Sequence, residues 1–238
     1  MREKLIIFIF FSTIFISCTT LEQKDYILIA NIYERGGKYD YAINEYTQGI
    51  KEYPDSQQLY YARGKTYYIT HQYQKAADDF TMAILFGSEM LTDCYGFRGS
   101  AYFNLERYDE ALTDFNTAIS MNDKISELYN ARGLVYDELK NYKEALNDNS
   151  RAILLDGGNS LYYYNRSLLY LEIGDNYNAF SDINKAIELN SDDHDYYSHR
   201  AYVLLKLAET EENDSVKLHY LEMGKENIEK AKKLKVNP

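Results

Sequence analysis

A short motif that recurs about every 34 residues constrains the fold of this chain more than any other feature. Tyr-x-x-Arg, or a close variant, precedes a small residue six times, at spacings of 34, 35, 34, 34 and 34 residues. The small residues are Ala30, Gly64, Gly99, Gly133, Ser167 and Ala201. Self-similarity at a fixed period of this length is the signature of a repeat protein. The pattern therefore predicts one structural unit repeated six times, in which neighbours bury each other's apolar faces.

Each repeat contains the pattern of two helices. Tyrosine lies four residues before each small residue, and Tyr or Leu lies three residues after it, which is the i, i+4, i+7 spacing of one helix face. A second set of small residues then recurs at Ala42, Ala76, Ala111, Ala145 and Ala179. A bulky residue follows four positions later at Tyr46, Phe80, Phe115 and Ile183, with Asn149 as the exception. Short connecting segments predict that the two helices are antiparallel.

At these residues the chain resembles the tetratricopeptide repeat (TPR) family, whose unit is a helix-turn-helix of 34 residues. The resemblance covers about residues 23–238 and implies an all-α fold, a right-handed TPR α-solenoid of about six helix-turn-helix repeats. The repeats fall at about 23–56, 57–91, 92–125, 126–159, 160–193 and 194–238. Twenty residues separate Leu204 from Gly224, where other repeats have nine, so the sixth repeat carries an insertion around 208–216. Its last helix is expected to be a cap with a polar outer face.

Three residue patterns inside the repeats receive structural interpretations. Fifteen of the 26 tyrosines occupy repeated positions, which favours packing over an aromatic platform for sugars or bases. Arg63, Arg98, Arg132 and Arg166 each have an Asp sixteen residues later, which predicts ion pairs between helices. Asn149 takes a bulky core position, where a buried amide without partners costs about 1–3 kcal/mol.

The first residues of the chain have the pattern of a secretory signal. Arg2 and Lys4 precede an apolar stretch from Leu5 to Ile16. Even as a helix, twelve residues rise only about 18 Å, against roughly 30 Å of membrane hydrocarbon, so a transmembrane span is the weaker interpretation. Residues 1–17 are therefore interpreted as a signal peptide.

The end of this segment, Phe15-Ile16-Ser17-Cys18, resembles the lipobox of bacterial lipoproteins, although Phe15 replaces the usual Leu. The resemblance implies a lipid on Cys18, a lipidated tether at 18–22, and a protein anchored in the bacterial cell envelope that faces the periplasm or the cell surface. The alternative is an ordinary secretory signal in which Cys18 is incidental.

Composition and motifs exclude several classes of function. The chain has 26 basic and 37 acidic residues and a formal charge of −11, whereas nucleic-acid binding requires a basic surface. It contains no phosphate-binding Gly-rich loop, no Ser/His/Asp signature and no zinc-ligand spacing. His194 and His199 lie near three aspartates, but at i, i+5 they do not share a helix face. We expect no enzymatic activity, no cofactor and no metal site, and Cys94 is expected to be an inert packed thiol.

The TPR resemblance implies that the first helices line a concave groove that binds a protein or peptide partner. The groove positions include Asn31, Tyr61, Lys65, Tyr68, Ser100, Phe103, Asn104, Asn130, Asp137, Glu138, Tyr164 and Tyr202. The early positions are basic to neutral and the later ones acidic, so positive residues of a partner are expected to meet the later repeats. Ile27 and Tyr61 occupy the Lys positions of the family's carboxylate clamp, so binding of chaperone C-termini is not inferred.

The predicted function is a non-enzymatic protein-interaction scaffold that reaches the membrane through its N-terminal lipid and binds its partner in the groove. The alternative is a carrier that holds a small hydrophobic ligand against the apolar lining of repeats four and five.

Overall fold

The computed structural model describes residues 6–10, 13–17 and 21–236 of this chain. Between residues 21 and 236, twelve α-helices follow one another as six pairs. They are α1 (Gln23–Arg35), α2 (Tyr39–Glu52), α3 (Gln57–Ile69), α4 (Tyr73–Leu85), α5 (Leu91–Asn104), α6 (Tyr108–Met121), α7 (Ser126–Glu138), α8 (Tyr142–Leu155), α9 (Ser160–Glu172), α10 (Asn176–Leu189), α11 (His194–Thr210) and α12 (Asp214–Val236). The predicted all-α solenoid class, with six helix-turn-helix repeats, is confirmed for this range.

The apolar N-terminal stretch forms two short strands, β1 (Ile6–Phe10) and β2 (Thr13–Ser17). They pair antiparallel, with Ile6 opposite Ser17 and Phe8 opposite Phe15. No strand is predicted here from the signal-peptide pattern, although Ile, Phe and Thr make up most of the stretch and favour strands. Cys18 lies outside the described residues. None of the described helices combines the length and the apolar character needed to cross a membrane.

The chain divides into two compact units, Met1–Asp114 and Phe115–Pro238, called here the N-terminal and C-terminal units. In each unit, successive helices pack against one another along the chain. The small residues of the second helices are fully buried, as at Ala76 and Ala186, and the bulky residues Phe80 and Ile183 are fully buried beside them. Small residues allow close approach of the helices, and the bulky residues fill the remaining space.

A repeated tight turn reverses the chain between the two helices of each of the first five repeats. The residue at its centre has a positive φ of 58–80°, in the left-handed region that ends many helices. These residues are Gly37, His71, Glu106, Lys140 and Gly174. The next backbone N–H donates to the carbonyl five residues back, as from Lys38 to Tyr33 at 2.8 Å. This turn makes the helices antiparallel neighbours.

The predicted insertion of the sixth repeat lengthens its helices, so that α11 has 17 residues and α12 has 23. The expected polar outer face of the cap is wrong in part, because Leu218 and Ile228 of α12 are 56% and 46% exposed. Among the described residues, no helix packs over this side of α12.

Asn149 is buried as predicted, with 1% of its surface exposed. Its amide Nδ2 donates to the Ala145 carbonyl at 3.1 Å, whereas its Oδ1 has no hydrogen-bond partner in the described part of the chain. The buried, unsatisfied amide oxygen is therefore confirmed.

Candidate functional site

An arginine on the first helix of four repeats is held by the second helix of the same repeat. Nε and Nη2 of Arg98 donate to the two carboxylate oxygens of Asp114, each at 2.7 Å. Its Nη1 donates to Thr81 Oγ1 of the preceding repeat at 3.0 Å. The same pair recurs as Arg63–Asp79, Arg132–Asp148 and Arg166–Asp182, which confirms the predicted ion pairs. Because the carboxylate side chains are at most 9% exposed, these arginines hold helices together and are not available to a ligand.

Tyrosines flank each of these guanidinium groups. The rings of Tyr95 and Tyr102 have their centroids 5.3 and 5.8 Å from Cζ of Arg98. Equivalent pairs surround Arg63, Arg132 and Arg166, and Tyr197 alone lies beside Arg200. Cation–π contact and burial explain why Tyr occupies these positions. The structural interpretation of the repeated tyrosines is therefore confirmed for this set.

The N-terminal unit contains a cavity of about 420 Å³ between α1, α3 and the loop before α5. It brings together Asn31, Tyr61 and Lys65, three of the predicted groove residues. Nζ of Lys65 lies 5.5 Å from the Tyr61 ring centroid and 5.7 Å from that of Phe97. Lys65 forms no salt bridge with any residue of the described range. The cavity therefore combines aromatic walls with one positive charge that has no acidic partner among the described residues.

The polar groups on the other side of this cavity bond to one another. The Tyr46 hydroxyl donates to Asn31 Oδ1 at 3.1 Å and to Glu34 Oε1 at 3.4 Å. Thr66 Oγ1 donates a short hydrogen bond to the same Glu34 oxygen. Burial raises the pKa of Tyr46, and the charge of Glu34 adds to the rise. Glu34 is thus already engaged, whereas Lys65 has its charge free for a partner.

The groove residues of α3 and α5 beyond this cavity form a second cluster. Tyr68 packs edge-on against Phe97, with centroids 6.0 Å apart, and burial raises its pKa, which its contacts with Ser100 and Asn104 oppose. Asn104 Nδ2 donates to the Ser100 carbonyl at 2.8 Å. Phe103 packs against Tyr108 at the start of α6, with centroids 6.0 Å apart.

In the C-terminal unit, two of the predicted groove residues have different surroundings. Asn130 is 9% exposed and accepts a hydrogen bond from Asn165 Nδ2 at 2.8 Å, so its carbonyl oxygen links α7 to α9. Asp137 is half-buried, and burial raises the pKa of its carboxyl; Lys140 opposes the rise, and Glu138 and Glu172 add to it. Glu138 and Glu172 are exposed, so the ends of α7 and α9 present an acidic patch.

The tyrosines of the later repeats also differ in exposure. Tyr164 packs against Tyr196, with centroids 4.9 Å apart, and edge-on against His199 at 5.4 Å. Tyr202 is 49% exposed and lines a second cavity of about 570 Å³ between α11 and α12. The predicted groove residues are thus distributed over the N-terminal cavity, the second cluster on α3 and α5, the acidic patch and this α11–α12 cavity, while Asn130 and Tyr164 contact neighbouring side chains of the C-terminal unit.

The two histidines considered as metal ligands have separate environments. Nε2 of His199 lies 2.9 Å from Ser167 Oγ, and Ser167 donates to the Ala179 carbonyl at 2.7 Å. Burial lowers the pKa of His199 to about 4, so it is neutral at pH 7. His194 pairs with Asp195 instead, at 3.1 Å. No group of three metal-ligating side chains occurs in the part of the chain that the structure describes.

Sequence reasoning missed part of the N-terminal cavity. Its lining also includes Tyr46, Gln57, Ser88, Glu89 and Met90. Tyr46 belongs to a second helix, and residues 88–90 precede α5, whereas the groove positions implied by the family lie only on first helices. Their place in the cavity depends on helix packing, which residue spacing alone does not give.

Comparison with known proteins identifies the repeat. Two family models described as tetratricopeptide repeat match residues 27–88 and 98–160, and residues 161–193. No curated protein matches the chain in sequence. TPR proteins are in general scaffolds without enzymatic activity.

Several solved structures share the fold. A crystal structure of MamA protein is 24% identical, with a TM-score of 0.64, over 71% of this chain and 92% of that one. YrrB, described as a TPR protein with an unusual peptide-binding site, is 21% identical, with a TM-score of 0.60, over 83% and 91% of the two chains. The C-terminal part of a TPR repeat-containing protein from Cytophaga hutchinsonii is 16% identical, with a TM-score of 0.72, over 87% and 79%. Identities this low show the fold alone. One of the two family models by itself matches more than half of the residues of this chain. The chain therefore belongs to the tetratricopeptide repeat family.

Proposed function

We propose that this chain is a non-enzymatic interaction scaffold, anchored to a bacterial envelope by a lipid on Cys18, whose first helices bind a peptide segment of a partner protein. The TPR fold supports the general role, because such folds typically serve protein–protein interaction. The partner-binding surface and the anchor are our inferences from the residues, and each has its own test.

The observation that carries the proposal is the uncommitted charge of Lys65 in the N-terminal cavity. A volume of about 420 Å³ is in the range that ligand pockets occupy in proteins. Ile27, Ile69 and Met90 offer apolar surface there, and Gln57 and Gln58 offer amide groups. A peptide that places a carboxylate against Lys65 and apolar side chains beside it would satisfy both features. Because Lys65 stands alone, this binding differs from the multi-residue clamp of chaperone-binding TPR proteins.

The acidic patch of the C-terminal unit favours positive charge on a ligand. Asp137, Glu138 and Glu172 lie at the ends of α7 and α9; burial raises the pKa of Asp137, Lys140 opposes the rise, and the two glutamates add to it. A basic side chain of a partner would offset this negative charge. We therefore infer that basic residues of the partner meet this patch, as the sequence predicts for the later repeats.

The contacts of Leu21, just before α1, support a short tether. Leu21 is buried, and its carbonyl accepts a hydrogen bond from the Tyr53 hydroxyl at 2.9 Å. Only two residues separate it from Cys18, a reach of about 10 Å at full extension. A lipid on Cys18 would therefore keep the first repeat close to the membrane surface.

Site-specific photo-crosslinking in cells tests the binding surface. A benzoylphenylalanine placed at Gln58, an exposed residue at the edge of the N-terminal cavity, is expected to capture a protein partner. Lys65→Glu should abolish this adduct, whereas the same probe at Leu85, which is 70% exposed elsewhere on the N-terminal unit, should not form it. An adduct that survives Lys65→Glu would show that the cavity is not the binding surface.

Charge reversal tests the acidic patch with the partner so identified. Asp137→Lys combined with Glu138→Lys should weaken binding at low salt by about tenfold, and the loss should shrink as salt screens the charges. Unchanged affinity at low salt would refute the role of the patch. The Lys65 result would remain valid in that case.

A further inference from the structure

The groove between α11 and α12 exposes more apolar surface than the end of a repeat protein ordinarily does. Its cavity has a volume of about 570 Å³. Four of its lining residues, Tyr202, Leu205, Leu218 and Ile228, are between 42% and 56% exposed. Ala201 and Ala231 lie buried at its base. The groove is therefore apolar, open and formed by two long helices of one repeat.

In earlier repeats, a helix covers the surface that is equivalent to this groove. Ile228 holds the second-helix position that Ile183 holds one repeat earlier, and Ile183 is fully buried in a cluster with Tyr196 and Tyr197 of α11. In the N-terminal unit, Tyr46 holds this position and packs with Leu59 of α3. The next first helix thus covers this position at both places. No helix within residues 21–236 covers Ile228.

The residues that flank the α11–α12 groove differ in charge from the residues at the equivalent positions of α10, one repeat earlier. Where α10 has Phe180 and Ile187, which pack in the apolar clusters of this unit, α12 has Lys225 and Lys232. Both lysines line the groove, as does Lys235, and Asp195 is the single acidic residue among the lining residues. This is a basic surface on a chain whose formal charge is −11. Lys232 already pairs with Glu229 of its own helix at 2.9 Å, whereas Lys225 and Lys235 form no ion pair within the described residues. An apolar helix like α11 would leave these two lysines without partners, whereas an acidic helix would pair with them and with Lys232.

We propose that the α11–α12 groove is a second docking surface, which binds an amphipathic helix of a partner protein. The apolar face of that helix lies over Ile228 and Ala231, and acidic residues on its flanks meet Lys225, Lys232 and Lys235. The mode is that of a helix in a groove, with the place of a following repeat taken by another protein. It goes beyond the proposed function, because the docked helix lies over α12, which contributes no residue to the groove predicted from the sequence.

Two labelled peptides provide the probe. Both carry the sequence of residues 194–209 of α11 and keep every residue that is buried there, so they share one apolar face. All remaining positions are Glu in the acidic peptide and Lys in the basic one, both of which favour helices. Fluorescence anisotropy with the full chain at low salt should show binding of the acidic peptide at least about tenfold tighter than the basic one. This preference should decline as salt rises.

Two variants test the residues of the groove, and two others are controls. Ile228→Glu should weaken binding of the acidic peptide by at least about tenfold. The double variant Lys225→Glu/Lys232→Glu should bind the basic peptide in preference to the acidic one, a gain that misfolding cannot produce. Leu154→Glu is the matched control, since Leu154 is 73% exposed on α8 and does not line the groove. Lys65→Glu should also leave this binding unchanged, which separates the test from that of the proposed function.

The proposal is overturned by equal affinity for the two peptides, or by an acidic-peptide affinity that Ile228→Glu does not change. It is also overturned if sodium laurate saturates the groove while neither peptide binds, which would indicate a small anionic amphiphile as the occupant. A dimer in sedimentation equilibrium that Ile228→Glu dissociates, again without peptide binding, would assign the groove to a second copy of the chain.

Discussion

At the scale of single residues, Asn149 shows how one side chain departs from the repeat pattern at a cost in stability. The other five repeats place an aromatic ring or Ile at this position, and the fourth repeat places an amide whose Oδ1 has no partner in the described range. Gly133 of α7 lies close to this amide, since a Cβ added at Gly133 would lie 2.9 Å from Asn149 Nδ2.

Replacing Asn149 with Leu, which has a similar shape, should therefore raise the free energy of unfolding by about 1–3 kcal/mol. Urea denaturation followed by circular dichroism measures the change. Asn147→Leu, at an exposed position of the same helix, is the control and should alter stability by no more than about 0.5 kcal/mol. A destabilised Asn149→Leu protein would show that the amide has a partner or that Leu does not fit.

His199 makes stability depend on pH through one buried imidazole. Burial lowers its pKa to about 4, whereas an unfolded chain protonates histidine near pH 6.5. Between these values the unfolded state binds the proton and the native state does not, so stability is complete above about pH 6.5 and falls as the pH drops towards 4.

From pH 7 to pH 5, this group alone should lower the free energy of unfolding by about 2 kcal/mol. Urea titrations at the two pH values should show a drop that is smaller by that amount in His199→Gln. His219→Gln, at an exposed position of α12, should retain the full drop. The same drop in all three proteins would mean that His199 titrates normally in the native state.

At the scale of elements, the arginine–aspartate pairs hold the two helices of a repeat together. Nε and Nη2 of Arg166 donate to the Asp182 carboxylate at 2.6 and 2.8 Å, and Nη1 donates to Ser150 of the preceding repeat at 3.1 Å. One side chain thus joins three helices. Hydrogen bonding to Asp182 raises the pKa of Arg166, which keeps the guanidinium charged.

Removing only the acid should cost more than removing the pair, because it leaves a half-buried charge without a partner. We expect Asp182→Ala to lower the free energy of unfolding by about 3 kcal/mol, and Arg166→Met with Asp182→Leu to restore most of the loss. Glu188→Ala breaks the exposed Lys185–Glu188 pair of the same helix and should cost less than about 1 kcal/mol. Similar losses in the single and double variants would contradict this account.

At the scale of the whole molecule, the proposed lipid anchor at Cys18 does not involve the cysteine inside the repeats. Cys94, the other cysteine, is fully buried in α5, and burial raises the pKa of its thiol. It therefore lacks the exposure and the thiolate character that modification requires. Any lipid on the chain is expected at Cys18.

Cys18→Ala should abolish incorporation of labelled palmitate and move the protein from the membrane fraction to the soluble fraction of a bacterial host. Two acyl chains bind a membrane stably, whereas a chain without them has only weak contacts with it. Cys94→Ala should keep both the label and the membrane location. Membrane association without label in the wild-type protein would refute lipidation.

Much of this molecule follows from the spacing of its residues. The 34-residue period determines twelve helices, their pairing and the identity of the buried small and bulky residues, because each repeat buries its apolar face only against its neighbours. The Arg–Asp pairs and the unsatisfied Asn149 follow as well, since a repeated position has the same surroundings in every repeat. The periodic spacing of residues along the chain is therefore sufficient to predict the helices, the Arg–Asp pairs and the burial of Asn149.

Tertiary structure alone decided which polar groups remain free. Lys65 and Glu34 both lie on first helices and both line the N-terminal cavity, but packing brings the Tyr46 and Thr66 hydroxyls to Glu34 and aromatic rings to Lys65. The sixth repeat is a second example of a feature that tertiary structure decided. The residues of its insertion do not predict that α11 and α12 lengthen, or that no helix of the described range covers Ile228. Such features depend on contacts between distant side chains, and these are determined by the packing of helices rather than by the order of residues within them.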